Sequence, residues 1–76
     1  MAELLADLAR RLVDDPDAVR VDEIERDGAV VLQLHVAPDD VGKVIGRQGR
    51  IARALRTIVR ASAARRDHRV LLEIVE

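Results

Sequence analysis

A cluster of glycines in the middle of the chain leads directly into a series of regularly spaced arginines. Three of the four glycines, Gly42, Gly46 and Gly49, lie within eight residues, and an arginine recurs at every third or fourth position after them. Glycine lets a backbone adopt angles that other residues resist and lets a ligand approach it closely. Arginines concentrated in one place attract anions. This combination predicts a site for a phosphate-bearing ligand.

The charge of the chain is divided between its two halves. Residues 1–40 contain four basic and eleven acidic side chains, whereas residues 41–76 contain nine basic and three acidic ones. The segment from Lys43 to Arg66 contains eight basic residues and no acid. Such a run can be a solvated helix face, but solvated faces normally mix signs so that neighbours pair. A run of one sign therefore favours an anionic partner.

The arginine spacing predicts a helix over about residues 49–64 with two different faces. Arg53, Arg56 and Arg60 fall on one side, and this arginine row begins at Arg50 near the helix N-terminus. A helix N-terminus presents unpaired N–H groups and a partial positive charge, which together suit a phosphate. The opposite side is apolar and should face the core, with Ile51, Leu55, Ile58 and Val59.

The turn between Gly46 and Gly49 is predicted to position this N-terminus. Its two glycines lack Cβ atoms, so a phosphodiester could come close to the backbone. Arg47 and Gln48 project from the turn without blocking it. A Gly-x-x-Gly turn can also be only a tight helix connection, and taken alone it is a weak signal.

A short helix over about residues 40–45 is predicted to precede the turn. Asp39 or Asp40 could cap its N-terminus, and Gly46 ends it. Val44 and Ile45 are expected to anchor it in the core and so hold the turn rigid.

The first forty residues read as a helix followed by a hairpin. Apolar residues at helical spacing predict an amphipathic helix over about residues 2–13, and the sequence DDPD stops it because Pro16 disfavours helix at the preceding residue. Strands over residues 18–26 and 29–37 flank an Asp-Gly pair, a strong hairpin signal. The helix stripe comprises Leu4, Leu5, Leu8, Ala9 and Leu12.

The two strands of this hairpin differ in regularity. The second alternates cleanly, which places Val30, Leu32, Leu34 and Val36 on one face. In the first strand Val19 and Val21 are out of phase with Ile24, which leaves a bulge or a shifted strand end as alternatives. A last strand over residues 69–75 closes the chain.

These elements predict an α+β domain spanning residues 1–76 in the order α-β-β-α-α-β. Three helices should pack on one face of a three-stranded mixed sheet. Seventy-six residues support a single core of marginal size. No stretch approaches a membrane span, and the start, MAELLADLARR, has no uninterrupted apolar run, so neither membrane insertion nor a signal peptide is expected.

Other chemistries find little support in the sequence. The chain has no cysteine, so disulfides and thiolate metal sites are excluded, which fits a reducing cytosol. The Gly42–Lys43 pair lacks the remainder of a P-loop, and the DDPD segment lacks the glycine and later glutamate of a calcium loop. His35 and His68 have no ligand-spaced neighbours and are interpreted as structural. We therefore expect no metal, no cofactor and no catalysis.

The stretch VGKVIGRQGRIARALR resembles the signature of a KH domain, whose Gly-x-x-Gly loop clamps the backbone of single-stranded nucleic acid. The order of elements resembles the type II arrangement, with a βααβ core over about residues 29–75. The third position after the second loop glycine, often a large apolar residue in KH domains, is Ala52 here. The resemblance implies a set of RNA-contacting residues, namely Lys43, Val44, Ile45, Gly46, Arg47, Gln48, Gly49, Arg50, Arg53 and Arg56.

Nearly the whole chain is similar to the KhpA (YlqC) family of small bacterial RNA-binding proteins. The resemblance implies a cytoplasmic protein that binds single-stranded RNA, acts as an RNA chaperone or post-transcriptional regulator, and is linked to cell elongation. It also implies a homodimer or a heterodimer with a KhpB (Jag/EloR)-like KH protein. The alternative is an adapter whose main role is dimerisation and whose Gly-x-x-Gly loop is structural.

Overall fold

The structure is a computed structural model that describes residues 2–63 and 69–75. The predicted helix end at Ala64 and His68 lie outside the described residues. The fold has the predicted order, with α1 (Ala2–Leu12), β1 (Arg20–Arg26), β2 (Ala29–His35), α2 (Val41–Ile45), α3 (Arg50–Ala63) and β3 (Val70–Val75). Short 3₁₀ turns occupy Pro16–Ala18, Pro38–Asp40 and Arg47–Gly49.

Helix α1 buries only part of its predicted apolar stripe. Leu5 and Ala9 are almost completely buried, whereas Leu4 and Leu12 are 44% and 37% exposed. The helix ends at Leu12 rather than at residue 13, and the next residues form the turn that contains Pro16. The side of α1 that carries Leu4 is therefore free of the core.

Strands β1 and β2 form the predicted hairpin around Asp27 and Gly28. Both turn residues have positive φ angles, 55° and 79°, which is the geometry that an Asp-Gly turn supplies. Pairing runs without interruption from Arg26↔Ala29 to Arg20↔His35, so the bulge alternative is wrong. The strand instead begins at Arg20, two residues later than predicted, and Val19 is buried just ahead of it.

The sheet is mixed, with β2 in the centre, β1 antiparallel on one side and β3 parallel on the other. One face of the sheet carries the core. Leu32 and Leu34 of β2 are buried there against α1, Val44 of α2, and Leu55 of α3. Removing any one of these larger side chains by substitution to alanine would cost about 2–5 kcal/mol. All three helices therefore lie on one face, as predicted.

The other face of the sheet is covered by its own polar side chains. Arg26 on β1 donates to Glu73 on β3 at 2.9 Å, and Gln33 on β2 donates to the same carboxylate at 3.1 Å. These hydrogen bonds, first from Gln33 and then from Arg26, hold the pKa of Glu73 below its ordinary value. Val31 lies on β2 between Ala29, which pairs with Arg26, and Gln33, which pairs with Glu73. The Arg26 side chain therefore passes over Val31 to reach Glu73. Val31, which also has Ile24 and Leu71 as its neighbours on the adjacent strands, is 0% exposed.

His35 lies on this same open face. Its Nε2 atom is 3.0 Å from a carboxylate oxygen of Asp22, which also contacts Arg20 at 3.3 Å. The imidazole therefore lies beside an acidic and a basic side chain on the sheet surface, although its buried Nε2 atom makes no well-aligned hydrogen bond within the described residues.

Helix α2 begins at Val41, after a 3₁₀ turn that the sequence analysis did not predict. Asp40 stands at the N-cap position, but its side chain makes no capping hydrogen bond, so the predicted cap is wrong. Gly46 ends the helix as predicted, with φ 75° and an N–H that donates to the Gly42 carbonyl at 2.9 Å.

Helix α3 separates an apolar from a basic face as the spacing predicted. Leu55 and Val59 are buried, and so is Ala52, the small residue that departs from the broader KH pattern. Ile58 was expected to face the core but is 38% exposed, because it lies at the margin of the apolar side.

Candidate nucleic-acid interface

The loop that joins α2 to α3 is a tight turn with left-handed backbone at three of its four residues. Gly46 and Gly49 have φ angles of 75° and 72°, and Gln48 between them has φ 58°. A left-handed conformation costs a non-glycine residue about 1–2 kcal/mol. The sequence signal for this loop was the glycine pair, whereas the geometry of Gln48 was not predicted.

The two glycines of this loop differ in their surroundings. A Cβ atom placed on Gly46 would lie 2.7 Å from Cγ1 of Ile51, whereas a Cβ on Gly49 would meet nothing within 4 Å. The space beside Gly46 is therefore occupied by the protein itself. Of the two, it is Gly49 whose missing side chain leaves open space for an approaching group.

Gln48 connects the loop to the first arginines of α3. Its carbonyl oxygen accepts a hydrogen bond from the guanidinium of Arg53 at 3.3 Å, and its side-chain oxygen accepts one from Arg50 at 3.5 Å. These contacts draw the two guanidinium groups towards the loop. Arg47 and Gln48 are both exposed, as predicted for residues that project from the turn.

The arginine row is exposed along α3. Arg50, Arg53, Arg56 and Arg60 are all exposed, and within residues 2–63 and 69–75 none of them lies within 4.0 Å of a carboxylate oxygen. The row starts at the N-terminal end of the helix, where the helix dipole adds a partial positive charge. Among the residues that the structure describes, the arrangement presents cations without acidic partners beside an open backbone turn, which can hold successive phosphates of a chain.

A shallow cleft lies between α3 and β3, next to the arginine row. It has a volume of about 60 Å³ and is lined by the side chains of Arg56 and Arg60 and by residues 70–72 of β3. Strand β3 is an edge strand of the sheet, and an edge strand carries backbone N–H and C=O groups without strand partners. These groups and the two arginines can meet a ligand that extends from the loop.

Lys43 was predicted to join this site, but in the structure its ammonium is paired with two carboxylates. It donates to Asp14 after α1 and, at 3.3 Å, to Asp40, which lies three residues earlier, just before α2. The hydrogen bonds to Asp14 and then to Asp40 raise the pKa of Lys43 above its ordinary value. We call Asp14, Asp40 and Lys43 the clasp.

The centre of the clasp is the Asp40 carboxylate. It accepts the backbone N–H groups of Asp14 at 3.3 Å and Asp15 at 3.1 Å in addition to the ammonium of Lys43. Burial raises the pKa of Asp40, but the backbone hydrogen bonds from Asp15 and Asp14 and the contact with Lys43 outweigh it, so the net pKa is lowered. Sequence reasoning missed this role, since an acid before a helix is ordinarily interpreted as a cap.

The two apolar residues before Gly46 are placed differently from each other. Val44 is 0% exposed and supports the loop from within the core, so its side chain is not available to a ligand. Ile45 is 37% exposed and does not anchor the helix, which corrects the expectation for that residue.

Within the described part of the chain, no three side chains of the His, Cys, Asp and Glu types are grouped so that they could hold a metal ion. None of the helices described there combines the length and apolar character needed to cross a membrane.

A family model described as KhpA/KhpB, KH domain, matches residues 2–74. An RNA-binding protein KhpA from Caldanaerobacter subterraneus subsp. tengcongensis is 52% identical over 75 residues, covering 99% of this chain and 100% of that protein. An RNA-binding protein KhpA from Aquifex aeolicus is 57% identical over 68 residues, covering 90% of this chain and 86% of that protein.

Among solved structures, the fold resembles part of the crystal structure of an Aquifex aeolicus Era variant bound to GDP and AlF4−. The TM-score is 0.63 at 19% sequence identity. The match covers 96% of this chain but only 28% of the other. At this identity the similarity concerns the fold alone.

Proposed function

Since this chain belongs to the KhpA/KhpB family of KH domains, we propose that it binds single-stranded RNA through the loop of residues 46–49 and the arginine row of α3. In this proposal the protein is a binding module without catalytic activity. Relatives that match 99% of the chain are named RNA-binding protein KhpA, which supports RNA as the ligand.

The observation that carries this proposal is the absence of acidic partners for the arginine row within the described residues. Four exposed guanidinium groups on one helix repel one another unless an anion neutralises them. The open backbone at Gly49 lies at the end of the row where the helix dipole also favours negative charge. A chain of phosphates meets all of these requirements.

The composition sets the strength of this binding. The chain contains no aromatic residue, so the stacking energy of about 1–3 kcal/mol per base is not available to it. Affinity then rests on phosphate contacts and base edges, which makes a single domain a weak binder with modest sequence preference. If three or four phosphates are neutralised, log affinity falls with log salt at a slope of about −2 to −3.

The finer biological role follows from the resemblance to the family. We propose a cytoplasmic RNA chaperone or post-transcriptional regulator that is linked to cell elongation. Weak binding with little sequence preference suits such a role, because it allows many RNA molecules to be sampled.

Pairing with a second KH protein is the other candidate role, and exposed apolar side chains favour it. Large apolar residues are exposed on each helix and on β3, and a contiguous group of such residues would mark a protein contact. A homodimer, or a heterodimer with a KhpB-like partner, would cover some of them and place two weak loops on one RNA, raising avidity. The exposed residues are Leu4, Leu12, Ile45, Ile58 and Leu71.

The loop decides between RNA binding and a purely adapter role. Changing Arg47→Asp together with Gln48→Asp places two negative charges where a phosphate would lie, and RNA binding should fall below detection in a filter or polarisation assay. Both glycines remain, and aspartate tolerates the left-handed conformation at position 48, so the thermal unfolding midpoint should change little.

Two further variants serve as controls for this experiment. Arg56→Glu, further along the arginine row, should weaken binding more mildly. Glu25→Lys on β1, the sheet edge opposite β3, should leave binding nearly unchanged. A folded loop variant that binds RNA like the wild type would instead establish the loop as a connector and favour the adapter.

A further inference from the structure

Asp40 is a buried charged side chain at the start of the short helix that precedes the loop. Its side chain is 3% exposed, whereas the neighbouring Asp39 is exposed. A buried charge is costly unless hydrogen bonds and a counter-charge compensate it. Asp40 receives both, from two backbone N–H groups after α1 and from Lys43.

We propose that the clasp of Asp14, Asp40 and Lys43 positions the RNA-binding loop, and that Lys43 acts there rather than as a phosphate ligand. The inference rests on the proposed RNA binding. Within it, Asp40 and Lys43 are positioning residues, because they act through the direction of α2 and not through contact with RNA.

The length of α2 makes such a device necessary. A helix of five residues, Val41–Ile45, is far below the length at which an isolated helix is stable in water. Its orientation therefore depends on its tertiary contacts. Those contacts include Val44 in the core, two residues before Gly46, and the clasp, whose Asp40 lies at the start of the helix.

The direction of the Asp40 side chain supports this role. At the N-cap position a carboxylate ordinarily accepts an N–H of its own helix, which contributes about 1 kcal/mol. Asp40 forgoes that bond and accepts the N–H groups of residues 25 and 26 positions earlier in the chain. The carboxylate thereby connects the start of α2 to the residues after α1 and fixes the orientation of α2 ahead of the loop.

Lys43 illustrates the consequence for the ligand site. It lies three residues before Gly46, within the basic segment that the sequence suggested for RNA. Its ammonium is held on the clasp side by Asp14 and Asp40. The charge is neutralised by the protein, in contrast to the arginine row.

The first test is the variant Asp40→Asn, measured against a fluorescent single-stranded oligouridylate at a temperature where circular dichroism shows it folded. Removing a negative charge near an RNA site would by itself strengthen binding of a polyanion. Loss of positioning would instead weaken binding. We expect the affinity of the variant to be about three- to tenfold weaker, where tenfold corresponds to about 1.4 kcal/mol. The matched control Asp39→Asn removes the same charge from the exposed neighbour and should bind as well as the wild type or slightly better.

The second test is Lys43→Met, which keeps the length of the side chain and removes its charge. Loss of a phosphate contact on a single strand lowers the salt slope by about 0.7. Loss of positioning instead weakens binding at every salt concentration and leaves the slope unchanged. This variant decides the question if Asp40→Asn does not fold.

The outcomes separate this inference from the proposed function. A folded Asp40→Asn variant that binds as tightly as the wild type, or a Lys43→Met variant with a reduced slope or unchanged affinity, overturns the clasp. If the wild type binds the oligouridylate and the Arg47→Asp, Gln48→Asp variant does not, RNA binding stands whichever way the clasp is decided. If the wild type does not bind the oligouridylate, the proposed function itself is wrong.

Discussion

The residues just before Gly46 and those just after it use the same chemical types for different purposes. Up to Gly46, the cation Lys43 is neutralised by carboxylates, and the space of that glycine's missing side chain is filled by Ile51. After it, Arg47 is exposed and nothing lies within 4 Å of where a Cβ on Gly49 would be. The first side is completed by the protein, and the second is the side that we propose binds RNA.

This difference shows how a small domain can present a rigid binding turn. The side that faces the protein carries the contacts that fix the backbone of the turn. The other side can therefore leave its charges and backbone groups without protein partners while the turn keeps its conformation. Charge and glycine content alone do not distinguish the two sides, because both sides are basic and each has a glycine.

The largest expected effect separates the two glycines. Gly46→Ala introduces a Cβ atom at 2.7 Å from Ile51 and keeps a positive φ, and overpacking together with backbone strain should lower the free energy of unfolding by about 2–4 kcal/mol. Gly49→Ala adds only the strain and should cost about 1 kcal/mol. Urea denaturation measures both. Equal losses at the two positions would remove the distinction drawn between them.

A smaller effect distinguishes the arginine row from Lys43. Arg53→Ala and Arg56→Ala should each reduce the slope of log affinity against log salt by about 0.7, the value for one phosphate on a single strand. Stability should change little, because exposed arginines without acidic partners in the described chain contribute little to it. Titrations of labelled RNA at several salt concentrations test this. Slopes that match the wild type would mean that the row does not contact phosphate.

The smallest effect near neutral pH concerns the clasp. Because the folded pKa of Asp40 lies below its ordinary value of 3.8, its contribution to stability is complete above that value and is lost as the pH falls through the folded pKa. Lys43 has a raised pKa, so its share is lost only in strong alkali, above 10.5. The clasp therefore predicts no pH dependence between about pH 5 and 9.

Acid unfolding of Asp40→Asn provides the corresponding measurement. Its free energy of unfolding should fall less steeply than that of the wild type below about pH 4. Glu73 also has a lowered pKa, so Glu73→Gln is the comparison variant, and its change should be smaller because Glu73 is 41% exposed. Superimposable acid curves for the wild type and Asp40→Asn would argue against a charged clasp.

Local patterns in the sequence determined the elements of this protein. Helical spacing located α1 and the start of α3 to within one residue, since one face of each helix must be apolar to meet a core. The Asp27–Gly28 pair specified the hairpin because its backbone preferences match the turn. The glycine pair and the arginine spacing identified the loop and the basic face, since both depend on residues close together in the chain.

Only the tertiary structure decided which charges are paired within the protein and which glycine has its side-chain space filled. The contact of Asp40 with Asp14 and Asp15, and that of Arg26 with Glu73, join residues between 25 and 47 positions apart. No local periodicity encodes such contacts. They arise when packing brings distant segments together and a buried or half-buried charge must find a partner. The same packing fills the space beside Gly46 and leaves Gly49 open.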